Sequence, residues 1–256
     1  MPHPRAGQPA LATDLVDLLA LERAYFDEQP DVSVPTQQVA FGTSGHRGTS
    51  LNRSFNQHHI WATTQAICEV RKQAGITGPL FLGRDTHALS EPAWRSAIEV
   101  LVANDVTVLV DALGGYTPTP ALSHAIIEHN RQHPQAQADG IVVTPSHNPP
   151  SDGGFKYNPP HGGPAGSDLT NAIAERANEL LAAGLAEVRR TSFEKARPAC
   201  YNYDFLATYV ADLEHVIDMR AIADSGVKIG ADPMGGASVD YWGAIGDHWG
   251  LDLTVV

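Results

Sequence analysis

Short apolar runs alternate with helical patterns along the middle of this chain, and nearly every run ends in a polar, glycine- or proline-marked segment. Strands are expected over residues 38–41, 80–83, 106–111 and 140–144. Helices are expected over 55–74, over 90–105 with Ser90 as N-cap and Pro92 in the first turn, and after YTPTP with Pro120 in the first turn. Such alternation predicts an α/β layer architecture with a mainly parallel sheet. Ligands of such sheets gather at the carboxyl ends of the strands. Four punctuated segments fall at strand ends: GTSGHRG (42–48), GRDTH (83–87), GGYTPTP (114–120) and TPSHNPP (144–150). Their convergence on one rim is the main functional inference.

The last segment opens a longer one, TPSHNPPSDGGFKYNPPHGGPAG, which holds six of the chain's 18 prolines. Proline has no donor N–H and glycine is costly to order, so residues 144–166 are expected to form a loop, neither helix nor central strand. Loops beyond about 12–15 residues in compact domains are functional or disordered. Beyond it, helical patterns cover 167–183 and 203–222. GVKIGADPMGG (226–236) then restarts a strand–turn–helix unit, and LDLTVV (251–256) restarts a strand. Three segments are expected: an N-terminal helical extension (1–37), a first domain (38–205) and part of a second (206–256). The tail beyond Ser225 is expected to be less settled, because two strands leave an unfinished sheet with an open edge.

The formal net charge of −12 argues against nucleic acid or an anionic membrane as the main partner. An anionic small molecule would need a local basic pocket. Cys68 and Cys200 are the two cysteines, which implies no disulfide framework and fits a reducing, cytoplasmic setting. Near the N-terminus, Thr13 reads as a helix N-cap, with Leu15, Leu18, Leu19 and Phe26 at helical spacing. Asp14 and Asp17 interrupt any apolar core there, so neither a signal peptide nor a membrane span is expected.

Ser146 has two readings: a turn serine beside Pro145, or a side chain exposed on a rigid loop for a substrate to reach. The nucleophile elbow of α/β-hydrolases is absent, and His147, adjacent in sequence, makes no triad. Lys156 is either a solvated loop lysine or a cation folded back on Ser146, able to stabilise phosphate or move the hydroxyl proton. Thr43, Ser44 and the glycines around them could present N–H groups to an anion, and Arg47 adds a fork of donors suited to phosphate. Read alone, that segment is a turn. For GRD (83–85) a structural role is favoured. His58, His59, His124 and His129 lack partners at metal-ligand spacing and read as surface or packing residues.

Together and in this order, GTSGHRG, GRD, TPTPA and above all TPSHNPPSDGGFKYNPPHGGPA resemble the α-D-phosphohexomutase superfamily, in particular its long bacterial phosphoglucomutases. The resemblance runs from about Gln38 to Val256, and GVKIGADPMGGAS looks like the opening of that family's second domain. It implies a mixed, mainly parallel sheet sandwiched by helices, followed by the beginning of a second, similar α/β domain. It also implies phosphoryl transfer between the 1 and 6 positions of glucose phosphate through glucose 1,6-bisphosphate. Ser146 matches the phosphoserine, whose phosphate also binds Mg²⁺. Lys156 matches the family's acid/base lysine, and Arg47 a residue beside the phosphoserine. His147 flanks the serine, and Asn148, Thr43 and Ser44 are expected on the substrate side.

Three family segments have no counterpart here: the D-x-D-x-D-R loop that holds Mg²⁺, a G-E-x-S sugar loop and an R-x-S-G-T phosphate segment. The chain is therefore expected to be part of a longer mutase and inactive by itself. The alternatives are a non-catalytic chain that binds a sugar phosphate or a partner, and a mutase acting on mannose or N-acetylhexosamine phosphate.

Overall fold

The computed structural model describes residues 4–42 and 45–256. Helix α1 (Leu18–Asp27) leads into strands β1 (Phe41–Gly42) and β2 (Gly45–Gly48). Helix α2 (Gln57–Gln73), β3 (Leu80–Arg84), α3 (Ser90–Ala103), β4 (Val108–Asp111), α4 (Thr119–Gln132), β5 (Asp139–Val143) and β6 (Gly153–Asn158) follow. Then come α5 (Ser167–Ala182), the single turn α6 (Phe193–Ala196), β7 (Tyr201–Tyr203), α7 (Phe205–Asp212) and α8 (Met219–Asp224). Strand β8 (Ile229–Ala231), α9 (Val239–Trp249) and β9 (Leu253–Val255) close the chain.

Seven strands form one mixed sheet in the order β1-β2-β6-β5-β3-β4-β7. Strands β5, β3, β4 and β7 run parallel. Strands β6, β2 and β1 are added antiparallel. Alternation along the parallel strands sends side chains to two cores. Leu80, Leu82, Ile141 and Val143 pack under α1, α2, α3 and α5, whereas Phe81 and Val142 pack under α4 and Phe205 of α7. The sheet thus lies between helical layers, as expected. Strands β8 and β9 form a separate parallel pair.

A buried ion pair fixes β5 and β6 against α2. Arg71 donates through Nε to both oxygens of Asp139 at 3.0 and 2.8 Å, and through Nη2 to the Gly78 carbonyl. The Tyr157 hydroxyl donates to the same carboxylate at 2.7 Å. With each polar group supplied by another, the pair escapes the large cost of a lone buried charge.

Four expectations are corrected. The stretch 144–166 is not all loop, because Gly153–Asn158 is a fully buried strand hydrogen-bonded on both sides. Its prolines all lie outside those six residues, so no ladder donor is lost. Its two glycines are needed for space: a Cβ on Gly153 would lie 2.3 Å from the Phe55 ring, and one on Gly154 would lie 2.2 Å from the Thr144 carbonyl. Second, the strand expected over 38–41 is Phe41–Gly42, and the end of GTSGHRG is no turn, because Gly45–Gly48 is itself a strand paired with β6. Third, the N-cap of α1 is Asp17, which accepts from the Ala20 N–H, and not Thr13. This helix buries Leu21 and Tyr25, while Leu15, Leu18, Leu19 and Phe26 stay exposed. Fourth, Ser90 is the first residue inside α3, and its hydroxyl leaves the helix to donate to Asp85.

Candidate active site at the strand carboxyl ends

The rim is assembled in two ways. GRDTH, GGYTPTP and TPSHNPP leave the carboxyl ends of parallel β3, β4 and β5, and backbone bonds tie them together. Asp85 N–H donates to Val143, and Thr117 N–H donates to Arg84. GTSGHRG arrives differently, since β2 lies antiparallel on β6 with Arg47 opposite Gly154. Thr43 and Ser44 lie outside the described residues.

Ser146 is exposed on the loop after β5 and has φ +66°. A non-glycine residue in that region costs about 1–2 kcal/mol, so neighbours must hold it there. One holder is the Thr144 hydroxyl, which accepts the Ser146 N–H at 2.9 Å.

Lys156 comes from the middle of β6. Phe155 and Tyr157 point into the core under α2, so alternation turns Lys156 to the opposite face, where it is only 7% exposed. Its Nζ donates to Ser146 Oγ at 2.6 Å. Gly45 makes room for the lysine stem, because a Cβ there would lie 2.7 Å from Lys156 Cγ. Arg47 Nη2 reaches the same Oγ at 3.5 Å, the outer limit of a hydrogen bond. Burial, then the charge of Arg47, holds the Lys156 ammonium below the usual lysine range, against an opposing pull from Asp85.

The other expected residues separate. The Asn148 side chain donates to Asp152 Oδ2 at 3.0 Å, so it braces its own loop. His147 is exposed and its side chain makes no hydrogen bond to the described residues. Three residues outside the expected site set enter it. Asp85 accepts from the His87 N–H at 3.0 Å, His87 Nδ1 at 2.8 Å and the Ser90 hydroxyl at 2.6 Å. Burial alone would raise the Asp85 pKa, but the bonds from His87, Ser90 and Thr144 together bring it below the usual range. The Asp85 hydrogen bond raises the His87 pKa in spite of partial burial. The run GRDTH held the signal, a carboxylate two residues before a histidine at a strand end. A structural role for GRD accords with these bonds. Arg84 accordingly donates to the Gly114 carbonyl and pairs with Glu91.

Asp85, His87, Thr117, Thr144 and Ser146 line a cleft of about 250 Å³, whose far wall is Gly236–Ser238 before α9. Among the described residues no group of three His, Cys, Asp or Glu side chains is placed to hold a metal ion. Asp85 and Asp152 are already engaged. These residues do not by themselves fit the near-octahedral oxygen set that Mg²⁺ requires. His59 bonds the Gln37 carbonyl, and His129 stacks on His133, as packing residues do. No helix among the described residues is long and apolar enough to cross a membrane.

Fold and site define an α/β/α protein that presents a strained serine, flanked by a buried lysine and an arginine, at its strand carboxyl ends. Residues 38–183 match the family model for phosphoglucomutase/phosphomannomutase, alpha/beta/alpha domain I, and the chain belongs to that family. A phosphoglucomutase of Komagataeibacter xylinus is 54% identical over 99% of this chain and 46% of its own length. Phosphoglucomutase 1 of Saccharomyces cerevisiae is 35% identical over 60% of this chain and 27% of its own. The crystal structure of a Thermus thermophilus protein assigned as a phosphomannomutase superposes with TM-score 0.68 and 26% identity. It covers 85% of this chain and 45% of that one. The chain thus spans less than half the length of these relatives.

Proposed function

We propose that this chain carries the phosphoryl-bearing serine of a phosphoglucomutase that interconverts glucose 1-phosphate and glucose 6-phosphate. The observation that carries the reading is the Lys156 Nζ contact at 2.6 Å from the Oγ of a strained, exposed serine. In one direction a sugar hydroxyl attacks the phosphorus on Ser146 and releases its proton to water, the P–Oγ bond breaks, and Lys156 gives its proton to Oγ and is recharged from water. In the other, Oγ attacks a phosphate of glucose 1,6-bisphosphate, Lys156 takes the Oγ proton and passes it to water, the P–O bond to the sugar breaks, and the leaving sugar oxygen takes a proton from water. The lowered lysine pKa brings both protonation states nearer to neutral pH. Arg47 faces the position where charge gathers on the transferring group. Within this reading Thr43 and Ser44 would face the sugar phosphate, and the one hard ligand this chain would offer Mg²⁺ is a phosphoryl oxygen on Ser146. Glucose is preferred to mannose or an N-acetylhexosamine because the 54% identical relative is a phosphoglucomutase.

The test is to treat the chain with glucose 1,6-bisphosphate, or mannose 1,6-bisphosphate for comparison, and map the product by mass spectrometry. One phosphoryl group on Ser146, faster from the glucose donor and absent in Ser146→Ala, is expected. Phosphate on another serine would defeat the assignment, and a faster mannose donor would change the sugar.

A further inference from the structure

Hydrogen bonds hold the Ser146 loop on both sides. Ser146 N–H donates to Thr144 Oγ1 at 2.9 Å, and the Asp85 N–H donates to the carbonyl of Val143, the residue before Thr144, at 3.0 Å. Asp85 Oδ2 accepts from His87 Nδ1 at 2.8 Å, and His87 Nε2 lies 3.1 Å from the Asn148 carbonyl. We propose that Asp85 and His87 are positioning residues that hold Ser146 in its left-handed conformation by clamping its loop three residues before and two residues after it. The inference rests on the reading of Ser146 as the phosphoryl carrier and extends it to residues that touch neither Oγ nor Lys156 Nζ.

Three features support the clamp. First, the two holds flank the serine. Asp85 fixes Val143 through its backbone N–H and His87 meets the Asn148 carbonyl, so the short segment between them carries Ser146. Second, both His87 nitrogens face acceptors, so the imidazole uses two N–H groups at once, in keeping with its raised pKa. Third, the anchor is rigid. Asp85 is 7% exposed, its N–H extends the β3–β5 ladder to Val143, and Ser90 at the start of α3 holds its other oxygen. A residue displaced by an ångström in such a site loses much of the benefit of alignment, so the clamp should appear in the rate of phosphoryl uptake.

The test compares His87→Ala, His87→Gln and Thr144→Val with the parent chain. Amide hydrogen exchange at Ser146, followed by NMR, should quicken about tenfold in His87→Ala and Thr144→Val, the effect of losing one hydrogen bond. Phosphorylation of Ser146 by glucose 1,6-bisphosphate should slow about tenfold or more at an unchanged half-saturating donor concentration. Glutamine, which can still donate to the Asn148 carbonyl, should recover part of both losses. Unchanged exchange, or quickened exchange with an unchanged phosphorylation rate, would overturn the clamp. If the parent chain takes no phosphate on Ser146, the functional reading fails and the exchange data alone decide the clamp. Should His87→Ala not fold, His87→Gln and Thr144→Val carry the comparison.

Discussion

Lys156 shows how much one side chain owes to its neighbours. A lysine on a surface loop would be hydrated and fully charged at neutral pH. Here β6 places it against Ser146 with its stem under Gly45, and burial joins the Arg47 charge in disfavouring the ammonium. The signs of its titration follow. Lys156 should titrate below the ordinary lysine value. Arg47→Ala should raise its pKa by removing a like charge, and Asp85→Asn should lower it further by removing an opposite one. Phosphorylation of Ser146 adds about −1.5 to −2 charges beside the amine and should raise it. With four lysines in the chain, an NMR titration of labelled lysine can resolve the site. Lys156→Met should slow phosphoryl uptake by Ser146 far more than it raises the half-saturating donor concentration, because proton transfer belongs to the transition state. An effect on donor binding alone would make Lys156 a binding residue.

Strand β6 is the element on which the site depends. It joins the parallel half of the sheet to the β2 hairpin, so it sets the distance between Ser146 and Arg47. Gly154 allows the backbone at Thr144 and Pro145 to pass directly over it. Gly154→Ala should therefore cost about 2 kcal/mol or more in urea unfolding, since the obstructing atoms are backbone and cannot turn aside. It should also slow Ser146 phosphorylation, because the displaced segment carries the serine. Gly230 in β8 is the control: a Cβ there meets nothing within 4 Å. Gly230→Ala should stay within about 0.5 kcal/mol of the parent. Equal stability of the two variants would show that the Thr144–Pro145 segment yields easily.

At the scale of the molecule, a protein of net charge −12 concentrates Arg47 and Lys156 beside one hydroxyl. An anionic substrate would be repelled by the whole and attracted by the rim, which ties any affinity to local geometry. The cleft has one wall from the large sheet and one from the segment before α9. The part around β8 and β9 buries little, and Val216 and Val227 are 72% and 50% exposed. With no three-ligand metal group among the described residues, the chain assayed alone with glucose 1-phosphate, Mg²⁺ and bisphosphate should show no sustained turnover. Phosphorylation of Ser146 without turnover is the expected pairing. Sustained turnover would mean that these residues assemble a full metal and sugar site.

The alternation of apolar runs and helical patterns was enough to determine the α/β layers and three of the four rim segments, because strand period and strand ends are local properties. The resemblance carried by GTSGHRG, GRD, TPTPA and TPSHNPP nominated Ser146, Lys156 and Arg47, and the structure brings the two cations to the one hydroxyl. Local pattern could not reveal that GGFKYN is a central strand. Its glycines read as loop formers, and only Phe55 and the Thr144 backbone, far away or folded back, explain why they must be glycine. Nor could it reveal that α1 buries Leu21 and Tyr25 and leaves its leucine-rich start exposed, since that depends on which face meets the sheet. The clamp of Asp85 and His87 on Val143 and Asn148 belongs to the tertiary structure alone. Its members come from the ends of two strands that are neighbours in the sheet and distant in the chain, and hydrogen bonds follow distance in space.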